Sequence, residues 1–193
     1  MLRKILFLVL FAGLLFINPR SDASSFKVDT NHSTVGFNVS MLGGLSKVTG
    51  KFSKFTVELD YDEKDVTKSS VMATIDAKSI DTGIDARDNH LRTADFFDVE
   101  KYPEITFKSK KVEKKGNNLS VMGDFTMHGV TKEITIPFKV VGKQKKPGKE
   151  IDTIGFTGSL VINRADYGIN YQNKNVPNWI GDNVEINLFI LTQ

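Results

Sequence analysis

From Ser33 to Met41 the apolar residues occupy every second position, with Val35, Phe37, Val39 and Met41 on one face and Thr34, Gly36, Asn38 and Ser40 on the other. A strand turns successive side chains to opposite faces, so this pattern describes a sheet buried on one side and wet on the other. The alternation recurs in Val71, Ala73, Ile75 and Ala77, in Ile105 and Phe107, and in Leu119, Val121, Phe125 and Met127. It returns in Ile134, Ile136, Phe138 and Val140, in Ile154, Phe156, Leu160 and Ile162, and in Val184, Ile186, Leu188 and Ile190. Phe52 shares its parity with Val48 and Gly50, whereas Phe55 continues into Val57, Leu59 and Tyr61, which predicts a β-bulge near Ser53 and Lys54. Eight strands result, over 26–41, 47–61, 70–79, 103–112, 118–128, 132–141, 151–164 and 183–192. Short links such as Gly43-Gly44, Gly116-Asn117-Asn118 and His128-Gly129-Val130 suit antiparallel neighbours. Residues 80–102 differ: Ile84 and Leu91 fall one heptad apart among charged residues, predicting a short helix with one apolar face.

An antiparallel meander leaves unpaired edges unless it closes, so the expected architecture is all-β, an eight-stranded up-and-down barrel with a short helical segment after the third strand. An interior of that size is either filled by side chains or holds one small ligand. Ala73, Ala77, Gly123 and Gly158 are small residues on inward rows otherwise built of Val, Ile, Phe and Leu, which argues for a hollow. The alternative is that the two glycines only relieve strand coiling. A hollow would be lined by Val35, Phe37, Val39, Phe52, Ala73, Ile75, Phe107, Phe125, Met127, Phe156 and Leu160. Phe96, Phe97 and Trp179 lie in irregular segments, where they would either plug one end or line its mouth.

Ahead of the strands, Arg3 and Lys4 precede an apolar run from Ile5 to Ile17, and Ser21 and Ala23 supply the small residues of a cleavage site. Residues 1–23 are therefore expected to be a secretory signal peptide cut after Ala23, leaving one domain over 24–193. The run is shorter than the roughly 20 residues that span a bilayer. Removing it takes away Arg3, Lys4, Arg20 and Asp22, leaving 23 basic and 22 acidic residues and a net charge of +1. A near-neutral chain argues against nucleic acid as the main partner. The chain has no Cys, which removes thiolate nucleophiles and thiolate metal sites. Its three histidines, His32, His90 and His128, lack metal-site spacing, so no metal or other cofactor is expected.

Five motifs then stand in order along the chain. They are Asp29-x-x-His32-Ser33-x-Val35-x-Phe37; Gly50-x-Phe52; Arg87-Asp88-x-His90-Leu91-Arg92-x-x-Asp95-Phe96-Phe97-Asp98 with Tyr102-Pro103; Gly123 to Lys132; and Asn163-Arg164-x-Asp166-Tyr167-Gly168. Together they resemble the YceI-like family over nearly all of the expected mature chain. The resemblance implies a lipocalin-like barrel, exported to the periplasm of Gram-negative bacteria, whose channel holds a long isoprenoid or fatty amphiphile. It implies no established catalysis. One departure is Met41, which stands where relatives often carry a His, so a metal site using that His would be incomplete.

The polar candidates have two readings each. Arg87, His90, Arg92 and Asp95 either form a rim around a ligand head group or pin the helical segment over one barrel end. His32 and His128 adjoin strand ends, where a His commonly orders a turn. Lys143, Lys145, Lys146 and Lys149 either solvate a hairpin loop or touch anionic lipid at a membrane surface. The expected function is an exported, non-enzymatic carrier that sequesters a long-chain amphiphile such as a polyprenyl quinone or polyprenyl phosphate. No membrane span is expected; transient membrane-surface contact and a homodimer are left open. An enzyme acting on such a lipid through His90, Asp95 or Arg164, and a solid-core interaction module, are the alternatives.

Overall fold

The computed structural model describes residues 24–145, 148 and 152–193. The expected signal peptide, together with Lys146 and Lys149, lies outside the described residues. The strands are β1 (Ser24–Lys27), β2 (Thr34–Met41), β3 (Ser46–Phe52), β4 (Phe55–Tyr61), β5 (Ser70–Asp76), β6 (Ile80–Asp81), β7 (Glu104–Lys115), β8 (Asn118–Met127), β9 (Val130–Gln144), β10 (Thr153–Asn163) and β11 (Ile180–Leu191). One α-helix, α1, spans Asp85–Leu91.

All pairings are antiparallel, in the order β1-β4-β5-β7-β8-β9-β10-β11-β2-β3-β6. The sheet curls so that the segment after β1 also reaches the end of β11. Val28 bridges Thr192, the Asp29 N–H donates to the Leu191 carbonyl at 2.8 Å, and the Gln193 N–H donates to the Lys27 carbonyl at 2.9 Å. The segment 24–41 thus lies between β11 on one side and the β3–β4 segment on the other, and the meander becomes barrel-shaped.

Eight expected strands appear as eleven: two are broken by side-chain chemistry, and β6 falls in the stretch 80–102 that was expected to be helical, after a third stops short. Asp29 accepts the N–H groups of Asn31 and His32 and receives the Ser33 hydroxyl on its carbonyl, a local turn that separates β1 from β2. At the predicted irregularity the chain changes partner: the Ser53 N–H donates to the Ser79 carbonyl and the Lys54 N–H to the Ser79 hydroxyl. β3 therefore pairs with β2 and β6, and β4 with β1 and β5. The expected strand 70–79 stops at Asp76, whose carboxylate caps a 3-10 turn over Ala77–Ser79. Tight links behave as read. His128 and Gly129 both take positive φ (52° and 74°), which a two-residue hairpin of the favoured twist requires.

The helix lies where expected, but its apolar face does not. Leu91 packs on the core, whereas Ile84 precedes the helix and is 52% exposed; Asp88 is the residue that α1 buries. The glycines also divide. A Cβ on Gly123 would collide with the Lys108 carbonyl and come within 2.8 Å of the Phe107 ring, so Gly123 permits close approach of β7 at its register shift. It is not a source of empty space. Ala77, 1% exposed, is likewise packed into the core.

Candidate functional site

The inward rows of β2, β4, β5 and β7–β11 surround an internal cavity of about 260 Å³ whose exposed lining is entirely apolar. A solid-core barrel is therefore not what this chain forms. Thirteen of the fourteen expected lining residues are present: Val35, Phe37 and Val39 from β2, Phe52 from β3, Ala73 and Ile75 from β5, Phe107 from β7, Phe125 and Met127 from β8, Phe156 and Leu160 from β10, with Phe96 and Phe97 from the segment after α1. Trp179 is the exception. It stands half-buried outside the lining, in the irregular run before β11, where its carbonyl accepts the Leu42 N–H at 3.1 Å. Of the small residues, Ala73 and Gly158 face the hollow.

Sequence reasoning missed Val57, Leu59 and Tyr61 of β4 as lining residues, although their alternation with Phe55 had the right parity. It also missed Leu91 and Ile169, which help close one end. Phe96 and Ile169 at that end are 7% and 3% exposed. At the opposite end the lining reaches half-buried Tyr61 and Ser69 and exposed Ser70. The hollow is thus stoppered beneath α1 and approaches the surface near residues 61–70.

None of the four expected head-group residues lines the cavity. Arg87 spends its Nε on the Thr82 hydroxyl (2.7 Å) and an Nη on the Thr82 carbonyl (2.8 Å). Buried Asp88 accepts the Thr82 N–H at 3.0 Å and its hydroxyl as well. Arg92 donates to the carbonyls of Lys78 and Ile80, both at 2.8 Å, and to the Asn89 side chain at 2.9 Å. His90 meets Asp95 at 2.8 Å and sets its ring edge-on to Phe96 and Tyr171. Arg87, Asp88 and Arg92 thus tie α1 to the 78–82 segment beside it, and His90 pairs with Asp95 just beyond the helix.

Arg164, weighed as a catalytic group, is 3% exposed and contributes to the lining. It donates to the carbonyls of Gly181 (3.0 Å), Ile169 (2.7 Å) and Ile180 (3.5 Å), and pairs with Asp182 at 2.9 Å. Burial pushes its guanidinium below the ordinary value while Asp182 pulls the other way. Asp166, two residues on, pairs instead with Lys132 at 3.1 Å. The remaining histidines order turns: His128 Nδ1 lies 3.0 Å from the Tyr167 carbonyl, and His32 Nδ1 lies 2.9 Å from an Asp29 oxygen. Among the described residues no three His, Asp or Glu side chains are grouped to hold a metal ion. Lys143 is matched with Glu63 at 2.7 Å and Asp152 at 3.7 Å, so it is not a free cation for lipid. No described helix is long and apolar enough to cross a membrane.

A model of the YceI-like domain matches residues 26–191, the whole barrel and its clamp. The chain belongs to the YceI-like family. It is 40% identical over 172 residues to a UPF0312 protein of Vibrio parahaemolyticus, covering 87% of this chain and 89% of that protein. It is 37% identical over 172 residues to Protein YceI of Escherichia coli, covering 87% and 88%. Among solved structures, BcnA of Burkholderia cenocepacia superposes with a TM-score of 0.76 at 26% identity, over 86% of this chain and 99% of that one. A polyisoprenoid binding domain from Saccharophagus degradans shares the fold at TM-score 0.61 and 18% identity, over 87% and 97%.

Proposed function

We propose that this YceI-like protein is a non-enzymatic carrier that is exported to the periplasm after cleavage at Ala23 and sequesters a long-chain isoprenoid or fatty amphiphile in its barrel. The observation that supports the reading is the cavity itself, about 260 Å³ of space with no polar surface on its wall. The polyisoprenoid-binding relative by fold supports the same ligand class. Each methylene taken out of water contributes about 0.8 kcal/mol, so ten would contribute roughly 8 kcal/mol before the cost of ordering the chain. That is on the scale of micromolar affinity without one directed hydrogen bond. At the α1 end Arg87 and Arg92 are engaged largely with the protein's own backbone, which supports a binding role for the hollow.

Native mass spectrometry of the purified protein, followed by organic extraction, tests this reading. The expected result is a co-purifying lipid on wild-type protein and its loss in Gly158→Phe. At Gly158 a Cβ meets only ordinary to slightly tight contacts, at 3.1–3.7 Å, so the ring can enter the hollow while the barrel folds. Unliganded wild-type protein that also fails to take up geranylgeraniol from detergent would overturn the carrier.

A further inference from the structure

Five side chains on the cavity lining carry polar atoms: Tyr61, Ser69, Ser70, Thr157 and Arg164. Four of them have a partner within the protein. The Ser69 hydroxyl accepts the Asp62 N–H at 3.0 Å, Ser70 donates to Asp60 at 3.4 Å, Thr157 donates to the Leu188 carbonyl at 3.1 Å, and Arg164 is held as described above. The Tyr61 hydroxyl makes no hydrogen bond among the described residues. Its ring is fixed nonetheless, edge-on to Phe156 with centroids 5.1 Å apart and tilted toward Phe26 at 6.4 Å. A rigid, half-buried phenol with an unused donor, placed where the hollow approaches the surface, has the form of a recognition group.

We propose that Tyr61 is the head-group contact at the mouth of the cavity, beyond its apolar wall, its hydroxyl donating to the carbonyl or hydroxyl oxygen of an uncharged amphiphile whose chain extends toward α1. The inference rests on the carrier reading above and adds the position and charge class of the ligand's polar end. Position follows from the ends of the hollow: Phe96 and Ile169 stopper one, and Tyr61 stands at the other. Charge class follows from the neighbours. Among the described residues, the ammonium group that acts on the phenol is Lys143, and it is committed to Glu63 and Asp152. An anionic head would meet Asp62 and Glu63 with that cation already engaged. Burial, then the Glu63 carboxylate, hold the phenol above its ordinary range against the pull of Lys143, so it stays a donor at neutral pH. The apolar wall itself cannot discriminate between heads.

The test uses delipidated full-length mature protein and three probes of closely similar branched chain: geranylgeraniol, geranylgeranyl monophosphate, and the headless hydrocarbon phytane. Each is delivered from detergent and scored by native mass spectrometry. Wild-type protein should retain the alcohol better than the phosphate. Tyr61→Phe keeps the ring contacts and should weaken retention of the alcohol roughly tenfold, while leaving phytane and the melting temperature unchanged. Equal retention of the alcohol by both proteins, a parallel loss of phytane, or a preference for the phosphate would each overturn the assignment of Tyr61. Failure of wild-type protein to hold any probe would overturn the carrier reading, and this inference with it.

Discussion

Along β4, β5 and β11 the inward side chains Val57, Leu59, Ala73, Ile186 and Leu188 are only half-buried, whereas Ile80, Asp88, Arg164 and Ile169 near the α1 end are at least nine-tenths buried. The two regions are made of different interactions. The wall is apolar and short of neighbours on its inner side, so its dispersion contacts are incomplete in the empty protein. The stopper is held by directional bonds: Arg92 on the carbonyls of Lys78 and Ile80, Asp88 on Thr82, and Arg164 on three further carbonyls. The difference separates holding a guest from holding the shape that surrounds it. Substitutions in the stopper should change stability and spare ligand preference; substitutions in the wall should do the reverse.

The strongest way to break that division is Arg164→Met. It keeps an apolar stem on the lining but strips hydrogen bonds from the carbonyls of Gly181, Ile169 and Ile180, and it leaves Asp182 without its partner. Asp182 is 54% exposed and water will take over much of its solvation, so the cost comes mainly from the carbonyls. A loss of about 3 kcal/mol is expected, roughly a 10 °C fall in melting temperature for a chain of this size. Calorimetry reads it directly. Lipid retention below the transition should be unchanged, and a lost ligand with unaltered melting would show that Arg164 belongs to the site.

Much of this was readable from spacing, and the exceptions have physical causes. Alternation places Val35, Phe37, Phe107 and Leu160 correctly because a strand has only two faces and one was wet. It does not reveal that Asp29 and Asp76 fold the chain locally, since carboxylates that accept neighbouring N–H groups look like surface charge in a sequence. Arg87 and Arg92 are as suited to carbonyls of their own chain as to a lipid phosphate, and composition does not distinguish these partners. Trp179 was placed by size alone, in a segment with no periodicity to orient it. Gly123 and Gly158 both stand on inward rows, but a Cβ would collide with the Lys108 carbonyl at the first and find only ordinary to slightly tight contacts at the second, a distinction that depends on the register shift in β7. Tyr61 ended a row already recognised, yet that its hydroxyl has no partner among the described residues appears only once the other polar lining groups are assigned theirs.

A sharper and smaller test of the clamp is Arg92→Glu. The substitution removes three donated bonds and sets a carboxylate near the Ile80 and Lys78 carbonyls, so a loss of about 2 kcal/mol and a drop of several degrees are expected. Head-group preference, scored with the alcohol and phosphate probes, should not move. Altered preference at unchanged melting temperature would return these residues to the rim of the site and erase the contrast between wall and stopper.

The smallest effect concerns the turn that separates β1 from β2, remote from both regions. The Asp29 carboxyl lies below its ordinary range, chiefly through the hydrogen bond with the His32 ring, with burial opposing and the His32 charge and backbone N–H groups adding to it. A carboxylate whose folded value is depressed stabilises the fold above the unfolded value, near 4, and that contribution fades as pH falls through the folded value. Asp29→Asn removes the titration while keeping a side-chain acceptor for the turn. Urea midpoints of the two proteins should therefore differ at pH 7, with the wild type higher, and converge in strong acid. Because Asp29 touches neither wall nor stopper, ligand retention should be identical at every pH at which both are folded. A midpoint gap that persisted in acid would mean that the turn is held by shape and not by the charge of its carboxylate.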